Sequence, residues 1–328
     1  MTDVLAILMS IFVLILALLL DLALGDPSPN SQWKFTFKLH PTVLMGKLTQ
    51  ALEPHFKSKN PKTARLKGAL LALTIILAFS LVAYIGLWAT YTYLSLFVYA
   101  FFATILLKQT ICIKLETDWA KAVAKAIQSE NLEEARKYSH FSRRESRDLT
   151  GTQITSAVIE SMAENLIDFK LSPILSYTFF GVTGAVAFRA INTLDGMVGF
   201  KDPEHIHVGW FSANLDTMVN YIPARLTAVL IVLSARILGE DYKNAWAIAC
   251  RDHANTPSRN HGWPMAAMAG ALGVQFEKPS QYILGEQTEF LTPEKIIQAL
   301  RIRNTVLILF GILCLPLIVF VRLYFFLY

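Results

Sequence analysis

Residues 4–20, VLAILMSIFVLILALLL, carry no charged side chain, and two further stretches of the chain share that character. About 20 apolar residues in a helix cross the hydrocarbon of a bilayer. Lipid offers no partner to backbone N–H and C=O groups, so the helix is the spanning form such runs can take. The first run continues past Asp21 to Gly25. It predicts an uncleaved transmembrane helix. A signal peptide would need a basic n-region, whereas this start reads MTDV, and no clear small-x-small cleavage site follows.

Residues 69–107 form a second uncharged stretch, nearly twice the length of one span. Two helices joined by a tight turn around Thr90–Thr92 fit it best. Residues 304–328 predict a last span around TVLILFGILCLPLIVFV. Membrane helices tolerate a proline such as Pro316, and Arg322 with the terminal tyrosines suits an interface. Two weaker candidates remain: 173–190, dotted with glycine and ending at Arg189, and 222–239, which contains Arg225 and Arg236. Strand signals are sparse. The expected fold is all-α: a polytopic integral membrane protein with four strong transmembrane helices, up to two short or re-entrant ones, and helical cytoplasmic regions. An apolar fraction of 54% agrees, being high for a soluble chain. One membrane domain is expected over 1–328, with polar helical regions at 108–172 and 240–304 contributing to one site.

Net charge is +5, and Lys and Arg concentrate in 26–68 and 108–150. The spans place both segments on one side, which the positive-inside rule makes the cytoplasm, with the N-terminus outside. Orientation and phosphate binding account for the basic excess, so no nucleic-acid partner is expected. Cys112, Cys250 and Cys314 have neither metal-ligand nor disulfide spacing. NLEE (131–134) resembles a capping box, with Asn131 at the N-cap, and TPEK (292–295) is cap-like.

Against this apolar background, ESMAENLIDFKLSP (160–173) stands out. On an α-helix Glu160, Glu164 and Asp168 share one face. Like charges at that spacing repel by a few tenths of a kcal/mol per pair. Bound Mg²⁺, a hard cation that takes carboxylate oxygens, or the upstream Arg143, Arg144 and Arg147 would relieve the repulsion; the plain alternative is a solvated helix face. FRAINTLDGMVGFKD (188–202) brings together Arg189, Asn192, Asp195 and Lys201, types that suit metal–phosphate handling in a spacing that is not a Walker A; an ordinary loop explains them equally well. SANLDTMVNYIPARLTA (212–228) sets Asp216 and Asn220 at i, i+4, and Arg225 opens an apolar segment where a charge needs a partner or must snorkel. HANTPSRNHGWPMAAMAGALG (253–273) runs from a polar loop bearing Ser258, Arg259, Asn260 and Gly262 into a small-residue helix. That helix serves either close packing or close approach to a flat ligand. Asp21, Asp26 and His40 flank the exit of the first span.

In this order, LGDP…HPTVLMGKL, RDL…ESMAENLIDFKLSP, RAINTLDGMVGFK, ANLDTMVNYIPARLTA and SRNHGWPMAAMAGALGV resemble the cobalamin-biosynthesis membrane protein family CobD/CbiB, from about Asp21 to Gly285. The chain departs from the family pattern at Ser258-Arg259-Asn260, where Ser-Pro-Asn is usual, and at ESRD, where Gly-Arg-Asp is common. The resemblance implies ATP-dependent amide formation between the free propionate of (adenosyl)cobyric acid and (R)-1-amino-2-propanol or its O-phosphate. It also implies Mg²⁺, a prokaryotic plasma membrane with the site facing the cytoplasm, and other cobalamin-pathway membrane proteins as partners. Phosphoryl transfer of this kind is mostly positioning and charge neutralisation. By that reading Glu160, Glu164, Asn165, Asp168, Asp195 and Asp216 are catalytic, with Glu160, Glu164, Asp168 and Asp195 as metal ligands. Arg147, Arg189, Lys201 and Arg225, with Asn192 and Asn220, hold phosphates; Ser258 and Asn260 meet the corrinoid. ATP is cytoplasmic, so 173–190 and 222–239 are expected to be short, broken or re-entrant helices whose polar ends converge. A transporter, or a non-catalytic membrane sensor, is the alternative; a transporter predicts inverted repeats, and the chain shows none.

Overall fold

The computed structural model describes residues 3–27, 37–137, 149–278 and 280–325. They are helical almost throughout, as expected. Five helices are long and apolar enough to cross a membrane: Val4–Leu24, Pro61–Tyr93, Gly151–Val198, Tyr221–Leu238 and Pro293–Tyr324. Their outer faces expose large apolar side chains, among them Val82 at 72% and Ile85 at 57%. Surface of that extent suits lipid, not water. The protein is an all-α polytopic membrane protein.

The chain resolves into two compact units. The first takes in Met1–Cys112, Ser172–Val219 and Cys314–Tyr328. Its helices are α1 (Asp3–Leu24), α2 (Pro41–Phe56), α3 (Pro61–Tyr93), α4 (Leu96–Lys108), α8 (Ser172–Val198) and α9 (Trp210–Val219). Here α3 packs on α8 and α1 on α4. The predicted turn at Thr90–Thr92 is displaced. Thr90 returns its hydroxyl to the Leu87 carbonyl at 2.8 Å, and α3 runs on to Tyr93. The break falls at Leu94–Ser95, where the Ser95 hydroxyl accepts from the Val98 N–H at 3.3 Å. This leaves α4 only 13 residues, about 20 Å, short of the ~30 Å hydrocarbon core.

The candidate 173–190 lies within α8, which is broken at Gly181 (φ 67, ψ −165). Only glycine takes that backbone without strain. A broken helix frees carbonyls that lipid cannot satisfy. Arg322 Nη2 donates to the Tyr177 carbonyl there at 3.4 Å, and its Nε donates to the Ser10 hydroxyl at 3.1 Å.

The second unit takes in Ile113–Leu171 and Asn220–Leu313. It holds α5 (Lys114–Gln128), α6 (Leu132–Lys137), α7 (Gly151–Leu166), a π-helical turn (Ile167–Leu171), α10 (Tyr221–Leu238), α11 (Tyr242–Asp252), α12 (Gly262–Leu272) and most of α13 (Pro293–Tyr324). The expected cap appears, with the Glu134 N–H donating to Asn131 Oδ1 at 3.0 Å. Thr150 and Gln153 close a full capping box on α7. The candidate 222–239 is α10, an unbroken 18 residues closed by left-handed Gly239.

The small-residue helix α12 is core. Gly270 packs on the backbone of α11, where an added Cβ would lie 2.6 Å from the Asn244 carbonyl oxygen. Close packing, not access to a flat ligand, explains its composition. A short hairpin that no strand signal announces follows it, β1 (Phe276–Lys278) antiparallel to β2 (Tyr282–Leu284).

Candidate active site

The acidic segment does not continue as a plain α-helix. α7 ends at Leu166, and Ile167–Leu171 winds as a π-helix. The wider π turn replaces the i, i+4, i+8 ridge with a bulge at Asp168. Such bulges recur at functional sites.

Each of the three acids finds a different environment. Glu160 is buried, with a hydroxyl on each oxygen: Ser156 donates to Oε1 and Tyr282 to Oε2, both at 2.6 Å. Asp168 lies 3.3 Å from His261 Nε2 and accepts from Asn220 Nδ2 at 3.5 Å. The Glu164 carboxylate makes no hydrogen bond among the described residues, although its backbone carbonyl accepts the Ile167 N–H. It sits in the combined field of His261, Asp168, Glu160 and Lys278. Ser258, in the loop before α12, accepts the His261 N–H at 3.2 Å and so orients the histidine. Next to it, Asn260 Oδ1 accepts from Arg225 Nη1 at 2.9 Å. The Arg225 guanidinium also lies 3.5 Å over the Tyr221 ring. Its expected partner is therefore an amide and a ring, not an acid.

A second set occupies the first unit. Arg189 is buried and donates to Asn192 Oδ1 at 2.9 Å and to the Thr110 carbonyl at 2.7 Å. Asn192 in turn donates to Asp216 Oδ1 at 3.4 Å. Asp195 is one turn on, its carboxylate against Gly199, and Lys201 is exposed in the following loop. Asp216 and Asn220 do not share a helix face. The chain turns at Asn220 between α9 and α10, so Asp216 meets Asn192 while Asn220 meets Asp168.

The second unit thus ties Glu164, Asp168 and Ser258 to His261, with Asn220 on Asp168 and Arg225 on Asn260, while Glu160 and Asn165 belong to the same helix with partners of their own. The first gathers Arg189, Asn192 and Asp216. Arg147, with Arg143 and Arg144, lies outside the described residues. Sequence reasoning missed His261 and Tyr282. It also missed a buried ionic group behind Asn165: Glu116 with Lys170 at 2.8 Å and Arg303 at 2.9 Å. His261 adjoins the Asn260 already singled out, and Lys170 lies inside the acidic motif itself.

The fit to Mg²⁺ follows from the donor set. The three acids do not converge as a preformed cage. Among the described residues, the group with metal-ligand atoms within 4.8 Å of one another is Glu53, Glu204 and His205, elsewhere in the chain. Mg²⁺ usually takes one or two carboxylates, with waters and substrate phosphates completing its shell. Glu164, whose carboxylate has no hydrogen-bonded partner among the described residues, and its neighbour Asp168 fit that role. Glu160, held by two hydroxyls, fits it less well.

Fold and site together define a class: a polytopic helical membrane protein with an acid, amide and histidine cluster built on a π-bulged helix. The family model of the CobD/Cbib protein matches residues 14–309, and the chain belongs to that family. It is 36% identical to the probable cobalamin biosynthesis protein CobD of Methanothermobacter thermautotrophicus, over 91% of this chain and 94% of the relative. It is 38% identical to the cobalamin biosynthesis protein CobD of Pelobacter propionicus, over 82% and 81%. The Geobacter metallireducens cobalamin biosynthesis protein CobD is 36% identical, over 92% and 93%. No solved structure matches the chain. Membership supports a role in cobalamin biosynthesis.

Proposed function

We propose that the chain is an ATP-dependent acid–amine ligase of cobalamin biosynthesis. It joins (R)-1-amino-2-propanol or its O-phosphate to the free propionate of (adenosyl)cobyric acid. The products are (adenosyl)cobinamide or its phosphate, ADP and inorganic phosphate. The observation that carries the reading is the second-unit cluster, where the Glu164 carboxylate, without a hydrogen-bonded partner among the described residues, shares the field of the Asp168–His261 pair.

A carboxylate is a poor acyl donor because its oxygen leaves badly. Transfer of the ATP γ-phosphoryl to a propionate oxygen gives an acyl phosphate and ADP. The amine nitrogen then forms the C–N bond, loses a proton, and inorganic phosphate departs with the former propionate oxygen. Glu164 and Asp168 would hold Mg²⁺, whose charge would offset that of the phosphates. Asp168 and His261 lie where a proton from the amine could be accepted. Arg225 supplies positive charge for phosphate oxygens, and Ser258 and Asn260 form a polar edge for the corrinoid amides. In the first unit, Arg189, Asn192 and Lys201 are the proposed phosphate-binding groups, with Asp195 and Asp216 as the proposed acids. The enzyme sits in a prokaryotic plasma membrane with this site toward the cytoplasm, where ATP is.

Equilibrium binding of ATP to detergent-purified protein tests the reading. Mg²⁺-dependent binding that disappears in Glu164→Ala supports it. Binding by neither protein, or equal binding by both, counts against it.

A further inference from the structure

Asn165 makes a contact with only one possible polarity. Its Nδ2 donates to Glu116 Oε1 at 3.0 Å and lies 3.4 Å from the Ser161 hydroxyl. Glu116 Oε2 already accepts from two cations and its Oε1 faces the amide as an acceptor, so the amide presents its NH₂ to Glu116. The side-chain carbonyl is thereby turned away, and it accepts from no group among the described residues. Asn165 is partly exposed, in the position after Glu164.

Glu116 is held firmly in this role. It is 4% exposed, and its Oε2 meets Lys170 Nζ at 2.8 Å and Arg303 Nη1 at 2.9 Å. Lys170 and Arg303 are themselves buried. Arg303 is fixed further by the Thr117 hydroxyl at 2.7 Å and the Ile113 carbonyl at 3.3 Å. Two buried cations thus donate to Glu116, whose oxygens act as acceptors.

Resting on the ligase reading above, we infer that the Asn165 carbonyl receives an N–H of the substrate's primary amine, and that Glu116 is the positioning residue that sets it. An ammonium has three donors and no acceptor. The carbonyl gives one of these donors a fixed direction. The same oxygen continues to accept an N–H once the amine has lost its proton, which leaves the nitrogen lone pair for the acyl carbon. Nucleotide phosphates present only acceptors in this state, so a carbonyl oxygen favours the amine over ATP at this point.

The test uses the full chain in detergent, with KM measured separately for the amine and for ATP, and with direct binding of radiolabelled aminopropanol. Asn165→Ala leaves Lys170 and Arg303 on Glu116, so the ionic group that supports the fold persists. The expected result is an amine KM raised ~10- to 100-fold, the loss of one hydrogen bond to a charged group, with the KM for ATP unchanged. Glu116→Gln, which can donate to Asn165 and let its amide flip, moves the amine KM the same way. Glu116→Asp, which keeps the acceptor, moves it less. An unchanged amine KM in Asn165→Ala overturns the inference, as does a parallel rise for both substrates. If wild-type protein ligates and Asn165→Ala shows no amine defect, the inference falls and the ligase stands. If wild-type protein binds the amine through Asn165 but makes no amide, the ligase falls and the inference stands. No amine binding and no product overturns both.

Discussion

His261 Nε2 lies 3.3 Å from both carboxylate oxygens of Asp168, joining the π-bulge to a loop 93 residues further along the chain. Groups in direct contact couple, and coupling energies run from 0.5 to about 3 kcal/mol. Asp168→Asn and His261→Ala should each lower ligation turnover, and the double variant should lose less than the sum of the two. A coupling of about 1 kcal/mol or more is expected from the cycle. Fully additive losses would show that the two act separately.

Tyr282 should matter to stability through Glu160. Its hydroxyl donates to a buried carboxylate at 2.6 Å. Tyr282→Phe removes that donor and should cost about 1.5–3 kcal/mol, the range for hydrogen bonds to charged groups. Denaturation of the purified protein in detergent reads this directly. Unchanged stability would mean that the hairpin does not hold Glu160.

Two glycines of α3 predict opposite outcomes. A Cβ on Gly68 would lie 1.9 Å from the Val208 carbonyl oxygen, whereas one on Gly86 meets nothing within 4 Å. Gly68→Ala should therefore destabilise, by about 1–3 kcal/mol as overpacking does. Gly86→Ala should be neutral or stabilise by about 0.5–1 kcal/mol, the helix-interior penalty of glycine. Equal effects would contradict the packing of α3 against the 199–209 loop.

Asp252 gives a pH dependence. Burial alone would raise its pKa, but hydrogen bonds from Arg251 and the Gly285 N–H hold it below the usual 3.8. A depressed folded value means that the contribution to stability is present above the unfolded pKa and is lost as pH falls through the folded one. Stability should thus decline below about pH 4, and Asp252→Asn should flatten that part of the curve. An unaltered acid slope in the variant would assign the decline to other groups.

Much of this architecture is legible in the sequence because lipid imposes simple rules. Uncharged runs announce α1, α3 and α13 by length alone. The break between α3 and α4 falls a few residues beyond the predicted turn because Thr90 satisfies its own helix and Ser95 caps the next. The composition of α12 admitted two readings, and only the approach of Gly270 to α11 separates them. The motif ESMAENLIDFKLSP locates the cluster, but periodicity presumes an α-helix and cannot foresee the π-turn at Asp168. His261, Tyr282 and Arg303 come to the acids from positions 93, 122 and 187 residues away from Asp168, Glu160 and Glu116 respectively. No local pattern encodes such pairings.

The most direct measurement follows the corrinoid by mass. Detergent-purified protein is incubated with adenosylcobyric acid, aminopropanol or its phosphate, and Mg²⁺–ATP, beside a Glu164→Gln control. The expected result is a mass gain matching the new amide, with ADP released in step, and no product from the control. Well-folded protein that forms no amide with either amine, or a control as active as the wild type, would contradict it.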